Sequence, residues 1–329
     1  AYSNGRGEPG LVAALAERYS ARRGRRFGAE NVLCLPGTQT ALYVALTGLV
    51  GPGDAVLMGD PAYATYAGLV AATGARTDTV PLRPERGFRM DPAEVAARIT
   101  PETRVLLVNT PQNPTGAVLR SADLAALGAL ARAHDLWLLC DEVYEDVVFP
   151  GVPFASPLSD PALAERTVAA ASISKSHAAP GFRSGWLVGP AEFCARLLPL
   201  SETILFGSQP FIADMTEAAI RGGSAVAAEM VDRFARRAAL IHGRLHGVHG
   251  LAANRPEAGM FSLVDVRATG LSGEDFARGL LDRREVAVMP GESFGVSLAG
   301  WVRLSLTQPD ALIEEACARI AAHAAEVAR

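Results

Sequence analysis

Lysine is all but missing from this 329-residue chain: among 31 basic residues only Lys175 is a lysine, and the rest are arginine. Either side chain can carry surface charge, so a composition drifting toward arginine sheds lysine wherever charge alone is needed. A guanidinium stays protonated and is a poor nucleophile, whereas an ε-amine can lose its proton and condense with a carbonyl. The lone lysine is therefore either a chance survivor or a residue kept for amine chemistry. Other absences narrow the field. No apolar run is long enough to cross a bilayer. Cys34, Cys140, Cys194 and Cys317 show no CxxC or zinc spacing and sit in apolar surroundings, which suits reduced thiols in a cytoplasm. A net charge of -4 argues against a nucleic-acid footprint. The chain has no initiator Met and no visible signal peptide, and an earlier start is expected.

The length exceeds what one core usually organises, so a large and a smaller domain are expected, with residues 1–240 in the first and 241–329 in the second. Apolar runs at Asn31–Leu35, Ala55–Gly59, Thr77–Val80, Arg104–Asn109, Leu136–Asp141, Thr167–Ser172 and Ser184–Val188 read as strands. Helical periodicity fills segments between them, as at Thr38–Val50 and Ser121–His134. Continuous apolar strands alternating with helices predict an α/β fold, a mainly parallel sheet covered on both faces. Gly223–His246 reads as a long linking helix. Beyond it, strands at Gly259–Val266 and Glu285–Met289 and helices at Gly273–Arg284 and Pro309–Val327 make a smaller α+β unit.

In a parallel sheet ligands collect at the carboxyl ends of the strands, and several unusual residues fall there. Ser172-Ile173-Ser174-Lys175 ends one strand, and Arg183 follows eight residues later. Hydroxyl and guanidinium suit a phosphate and an amine suits an aldehyde; pyridoxal phosphate carries both groups. Gly37-Thr38-Gln39 sits at a strand-to-helix junction, either as a plain helix cap or as an anion site. Asn113, in a turn made rigid by Pro111, Pro114 and Gly116, can aim an amide at a ligand. Asp141 and Glu142 end another strand. No third metal ligand stands at a convincing spacing, so no metal is expected; the acid either caps a helix or pairs with a protonated pyridine nitrogen. Tyr144 could bond the ring's phenolic oxygen. Tyr63 could stack on the ring, though it and Tyr66 serve equally as core. Arg303 in an apolar strand needs a carboxylate partner, from the protein or from a substrate.

In this order the motifs resemble the class I/II aminotransferases, fold-type I enzymes that depend on pyridoxal 5'-phosphate, over nearly the whole chain. The resemblance implies an enzyme moving an amino group from an L-amino acid to a 2-oxo acid such as pyruvate. It implies Lys175 as the Schiff-base residue, Asp141 at the pyridine nitrogen, and Asn113 and Tyr144 at the ring oxygen. Tyr63 would stack on the ring, and Gly37, Thr38, Gln39, Ser172, Ser174 and Arg183 would surround the phosphate. Arg303, with Asn113 beside it, would bind the substrate carboxylate. Tyr2 matches a tyrosine that reaches the neighbouring subunit's phosphate, which implies a homodimer with shared sites. Family members carry several dozen residues before this point, so an arm is expected ahead of Tyr2. Stretches such as His134–Trp137, Ser174–Ala178, Leu205–Ser208 and Gly259–Arg267 are similar to those of bacterial arginine–pyruvate transaminases. A guanidinium donor would want an acid in its pocket, with Glu202 as a candidate. The alternatives are another enzyme using the same cofactor (a β-lyase, decarboxylase, oxidase or cyclase) or a ligand-sensing regulator built on the same domain.

Overall fold

The computed structural model describes residues 2–327. A seven-stranded sheet runs in the order β1 (Val32–Leu35), β7 (Gly185–Val188), β6 (Thr167–Ser172), β5 (Trp137–Asp141), β4 (Thr103–Asn109), β2 (Ala55–Asp60) and β3 (Arg76–Pro81). From β6 to β3 every pairing is parallel, while β7 runs antiparallel to both of its neighbours. Every residue of β2, β6 and β7 is buried, which explains why these strands read as unbroken apolar runs rather than alternations.

Side chains alternate between two cores. On β4, Leu106 and Val108 join α1 (Pro9–Arg23), α5 (Ser121–Ala133) and α9 (Pro210–Gly222). Val105 and Leu107 join α2 (Thr38–Leu49), α3 (Tyr66–Ala71) and α8 (Ala191–Leu205) on the other face. In α5 the buried Leu124, Leu127 and Ala131 stand three and four residues apart, one stripe of a helix. Truncating the fully buried Leu127 to Ala would cost about 2–5 kcal/mol. Three short helices, α4 (Pro92–Ala96), α6 (Pro161–Ala164) and α7 (Ile173–Ser176), complete this layer.

A second, antiparallel sheet orders β10 (Met289–Pro290), β11 (Trp301–Ser305), β9 (Phe261–Asp265) and β8 (Ala252–Ala253). It packs with α10 (Ala225–Leu245), α11 (Gly273–Arg284) and α12 (Asp310–Val327) around Phe234, Ile241, Phe276, Val302 and Ile320. Tyr144 and Val147, from the loop after β5, belong to this same core. One expected strand is corrected. Of Glu285–Met289 only Met289 pairs, joined by Pro290. Glu285 instead closes α11 in a left-handed conformation (φ 56°), so the apolar alternation after it belongs to a connecting segment.

Candidate active site

Asp60, Asn109, Asp141 and Ser172 stand at the carboxyl ends of four neighbouring parallel strands. Over Asn109, Asp141 and Ser172 opens a cavity of about 340 Å3 whose wall is completed by Phe261, Arg303 and Ser305 of the second sheet and by Met260 just before β9. The cavity brings together Thr38, Gln39, Tyr63, Asn113, Asp141, Tyr144, Ser172, Ser174, Lys175, Arg183 and Arg303. Residues as far apart in sequence as Thr38 and Ser305 thus share one space.

One end is built for an anion. α2 begins at Thr38, and the first amides of a helix have no acceptor within it. Gly37 precedes them at φ 87°, a backbone conformation that favours glycine, and a Cβ there would meet the end of the Arg183 side chain. Arg183 is held by the carbonyls of Pro180 (2.8 Å) and Pro36 (3.4 Å) and has no carboxylate partner among the described residues. Thr38 Oγ1 is buried without a hydrogen-bond partner. An orphaned hydroxyl, free amides and an uncompensated guanidinium fit a phosphate.

The other end presents a buried acid. Burial pushes Asp141 up to about 6. Against that, Tyr66 donates to Oδ2 at 2.6 Å and the Val143 amide to Oδ1 at 3.1 Å. Tyr66 was left open between core and site by its sequence; the structure gives it both roles, since it is 2 % exposed and lines the cavity. A cation facing Asp141 would supply the charge that burial denies it. Asn109 fixes the neighbouring loop. Its amide donates to the carbonyls of Asp141 and Pro111, both at 3.0 Å, and its oxygen accepts from Asn113 N at 2.8 Å.

Between the two ends lies Lys175, half-buried, with Nζ 5.9 Å from the centre of the Tyr144 ring. Burial lowers its pKa, Asp141 opposes the shift, and Arg183 and Arg303 add to it. An amine so placed loses its proton more readily than a solvated lysine. Tyr144 is driven the other way, by burial first and Asp141 second, and so keeps its proton. Arg303 donates to Asn113 Oδ1 at 3.0 Å and packs between Phe294 (4.5 Å) and Phe261 (5.7 Å). No described carboxylate lies within ion-pair reach of it, so its fork is free for an acid that is not part of this chain's described residues.

Gly37 adjoins the cavity without lining it, and Tyr2 and Glu202 lie outside it. Tyr2 is exposed and its ring lies tilted against Phe206, centroids 4.7 Å apart. Glu202 sits with its carboxylate against Gly5. Glu142 faces away from Asp141 into a buried cluster that the sequence did not announce. Arg23 pairs with Glu142 (2.9 Å) and Glu145, Arg18 with Glu145 (3.1 Å) and Asp146 (2.5 Å), and Arg22 with Asp146 (2.7 Å). Burial pushes Glu142 upward and Arg23 pulls it back. The cluster ties α1 to the chain just beyond Asp141.

The family model for aminotransferase class I and II matches residues 1–320. The chain is 45% identical over 326 residues to the arginine–pyruvate transaminase of Pseudomonas aeruginosa, covering 99% of this chain and 83% of that one. An aspartate aminotransferase of Musicola paradisiaca is 30% identical over 306 residues, 92% of this chain and 76% of its own. Among solved structures, an aromatic aminotransferase from Pyrococcus horikoshii superposes with a TM-score of 0.93 at 29% identity, over 99% of this chain and 88% of its own. A Thermus thermophilus aspartate aminotransferase with maleate gives 0.90 at 32%, over 98% and 84%. These relatives are all aminotransferases, which favours amino transfer over the lyase, decarboxylase, oxidase, cyclase and regulator alternatives.

Proposed function

The chain belongs to the class I and II aminotransferase family and is a pyridoxal 5'-phosphate-dependent aminotransferase; we propose that its amino donor is L-arginine and its acceptor pyruvate. The observation that carries this choice is the 45% identity, over nearly the full chain, to an enzyme of that name.

The division of labour we propose follows the geometry of the cavity. Thr38 and Gln39 through their amides, with Gly37 giving access and Ser172, Ser174 and Arg183 alongside, would hold the phosphate. Asp141 would face the ring nitrogen, Asn113 and Tyr144 the ring oxygen, and Tyr63 a ring face. When bound, the cofactor supplies an aldehyde for covalent attachment of amines and a ring that draws electrons from the substrate Cα. Lys175 would be the residue joined to that aldehyde at rest. Once freed, Nζ, whose pKa burial has lowered, takes the proton from Cα. The ionised Asp141 would supply the negative charge that favours a protonated ring nitrogen. Arg303 orients the donor through its carboxylate, so that Cα is presented to Nζ.

A guanidinium donor needs an acid to face it. Among the described residues Asp141 is the single acid lining the cavity, and it is already engaged, so we look to the segment around Tyr2, where Glu202 lies. We propose a homodimer in which Tyr2 and Glu202 reach the neighbouring site; the exposed Tyr2, Ile204, Phe206 and Phe211 support it. We also propose the domain division at residue 240, supported by the separate core of the second sheet. A cytoplasmic setting is supported by four buried, unpaired cysteines. No helix among the described residues is long and apolar enough to cross a membrane.

A scan of half-reactions tests the donor. Each amino acid is mixed with cofactor-loaded enzyme, and loss of the aldehyde-form absorbance is followed. Arginine should convert the enzyme fastest, and pyruvate should restore it. Faster conversion by another amino acid, with arginine inert, refutes the donor but leaves the family intact.

A further inference from the structure

The turn that carries Lys175 does not hold itself. α7 is a single helical turn, and a helix so short has little stability of its own. Beyond it the chain passes through Ala178 (φ 50°) and Arg183 (φ 52°), both left-handed. Residues with side chains persist in that conformation only where their surroundings enforce it.

The turn is fastened from outside at the corner where α9 passes into α10. His177 Nε2 lies 3.2 Å from Ala219 O. A carbonyl only accepts, so Nε2 carries the hydrogen and Nδ1 accepts from Ser176 Oγ at 2.8 Å. Ser224 Oγ donates to Ser176 O at 2.5 Å and, as the cap of α10, accepts from Ala227 N at 2.9 Å. The two residues directly after Lys175 are thus fastened to one corner of the fold. α10 leaves that corner and carries Phe234, Ala238, Ile241 and Leu245 into the core beneath the second sheet. That sheet also bears Arg303.

We infer that His177 and Ser224 are positioning residues for Lys175: they set the place of its amine in the cavity and relay to it, through α10, the position of the sheet that carries Arg303. Neither residue lines the cavity, so both act through the backbone of residues 176 and 177. The inference rests on Lys175 being the residue joined to the cofactor.

The test uses the loaded enzyme and follows the absorbance of the Lys175–cofactor linkage against pH, with borohydride trapping to locate the linkage. Ser224→Asp keeps an acceptor for the α10 cap but removes the donor to Ser176 O. His177→Phe keeps a ring but removes both of its bonds. Each should move the absorbance midpoint by about half a pH unit or more and lower kcat about three- to tenfold, the scale of one or two net hydrogen bonds, with a smaller change in KM. Ser224→Thr, which retains donor and acceptor, should restore both readings. Wild-type midpoint and kcat in Ser224→Asp and His177→Phe, whatever their melting temperatures, overturn the inference. So does a Ser224→Thr enzyme as impaired as Ser224→Asp. If Ser224→Asp does not fold, His177→Phe decides. Absence of a trapped adduct in the wild type is a different failure, that of Lys175 itself.

Discussion

Removing one oxygen from Tyr66 isolates what sets the charge of Asp141. Both residues are nearly inaccessible, at 2 % and 4 % exposure, and the hydroxyl donates to Oδ2 at 2.6 Å. Burial has already lifted Asp141 from 3.8 to about 6, and the Tyr66 bond leads the forces that restrain it. A hydrogen bond to a charged group is worth about 1.5–3 kcal/mol, and about 1.4 kcal/mol is one pKa unit. Tyr66→Phe should therefore raise Asp141 by about one to two units, to about 7–8. The sign for stability follows. A carboxyl whose folded value lies above its unfolded value stabilises the fold at low pH and loses that contribution as pH rises through the folded value. In the cofactor-free protein that loss, complete above about 6 in the wild type, should extend to about 8 in the variant. Near neutrality Asp141 would be largely uncharged and a poor partner for a ring cation, so cofactor binding should weaken about tenfold. Carbon-13 NMR of aspartate-labelled, cofactor-free protein, assigned with Asp141→Asn, measures the midpoint directly. A midpoint at or below the wild-type value would refute the reasoning.

Thr38→Val removes the orphaned hydroxyl while keeping its shape: the free protein should gain about 1 kcal/mol, and cofactor affinity should fall about tenfold. Calorimetry and cofactor titration read the two signs, and destabilisation with normal affinity contradicts the argument. Arg303→Lys replaces a planar fork by a point charge and should raise the donor KM about 30- to 100-fold, more than it lowers kcat; steady-state kinetics showing an unchanged KM would remove Arg303 from substrate binding. His323, 1 % exposed with neither ring nitrogen bonded, has its pKa held below the ordinary 6.5 by burial. A depressed base stabilises the fold above 6.5 and loses that contribution in acid, so His323→Leu should flatten the fall of Tm as pH drops below 6.5; parallel Tm curves for the two proteins would sink this account.

The strands of the large sheet were legible because burial on both faces leaves them uninterrupted apolar runs, as in β6, where every residue is buried. Most of the cavity was legible because its chemistry falls at strand ends, where sequence spacing and spatial position coincide. Tyr66 was only half legible. Its neighbour Tyr63 stands three residues away, but its partner Asp141 is 75 residues on, and only the order of β2, β4 and β5 in the sheet brings the two together. The pairing of α1 with Glu142, Glu145 and Asp146 escaped for the same reason: arginines at 18, 22 and 23 look like ordinary solvated charge until the fold buries two of them. The strand expected at Glu285–Met289 failed because alternation says nothing about whether a partner edge is available; β11 offers only Arg303 and Val302.

A protein with one side-chain amine, lodged in its own cavity, is also its own titrant. An acylating reagent small enough to enter would find a single lysine target. The mass it adds at residue 175, separated from the α-amine by peptide mapping, would count vacant pockets without any coloured group or any turnover.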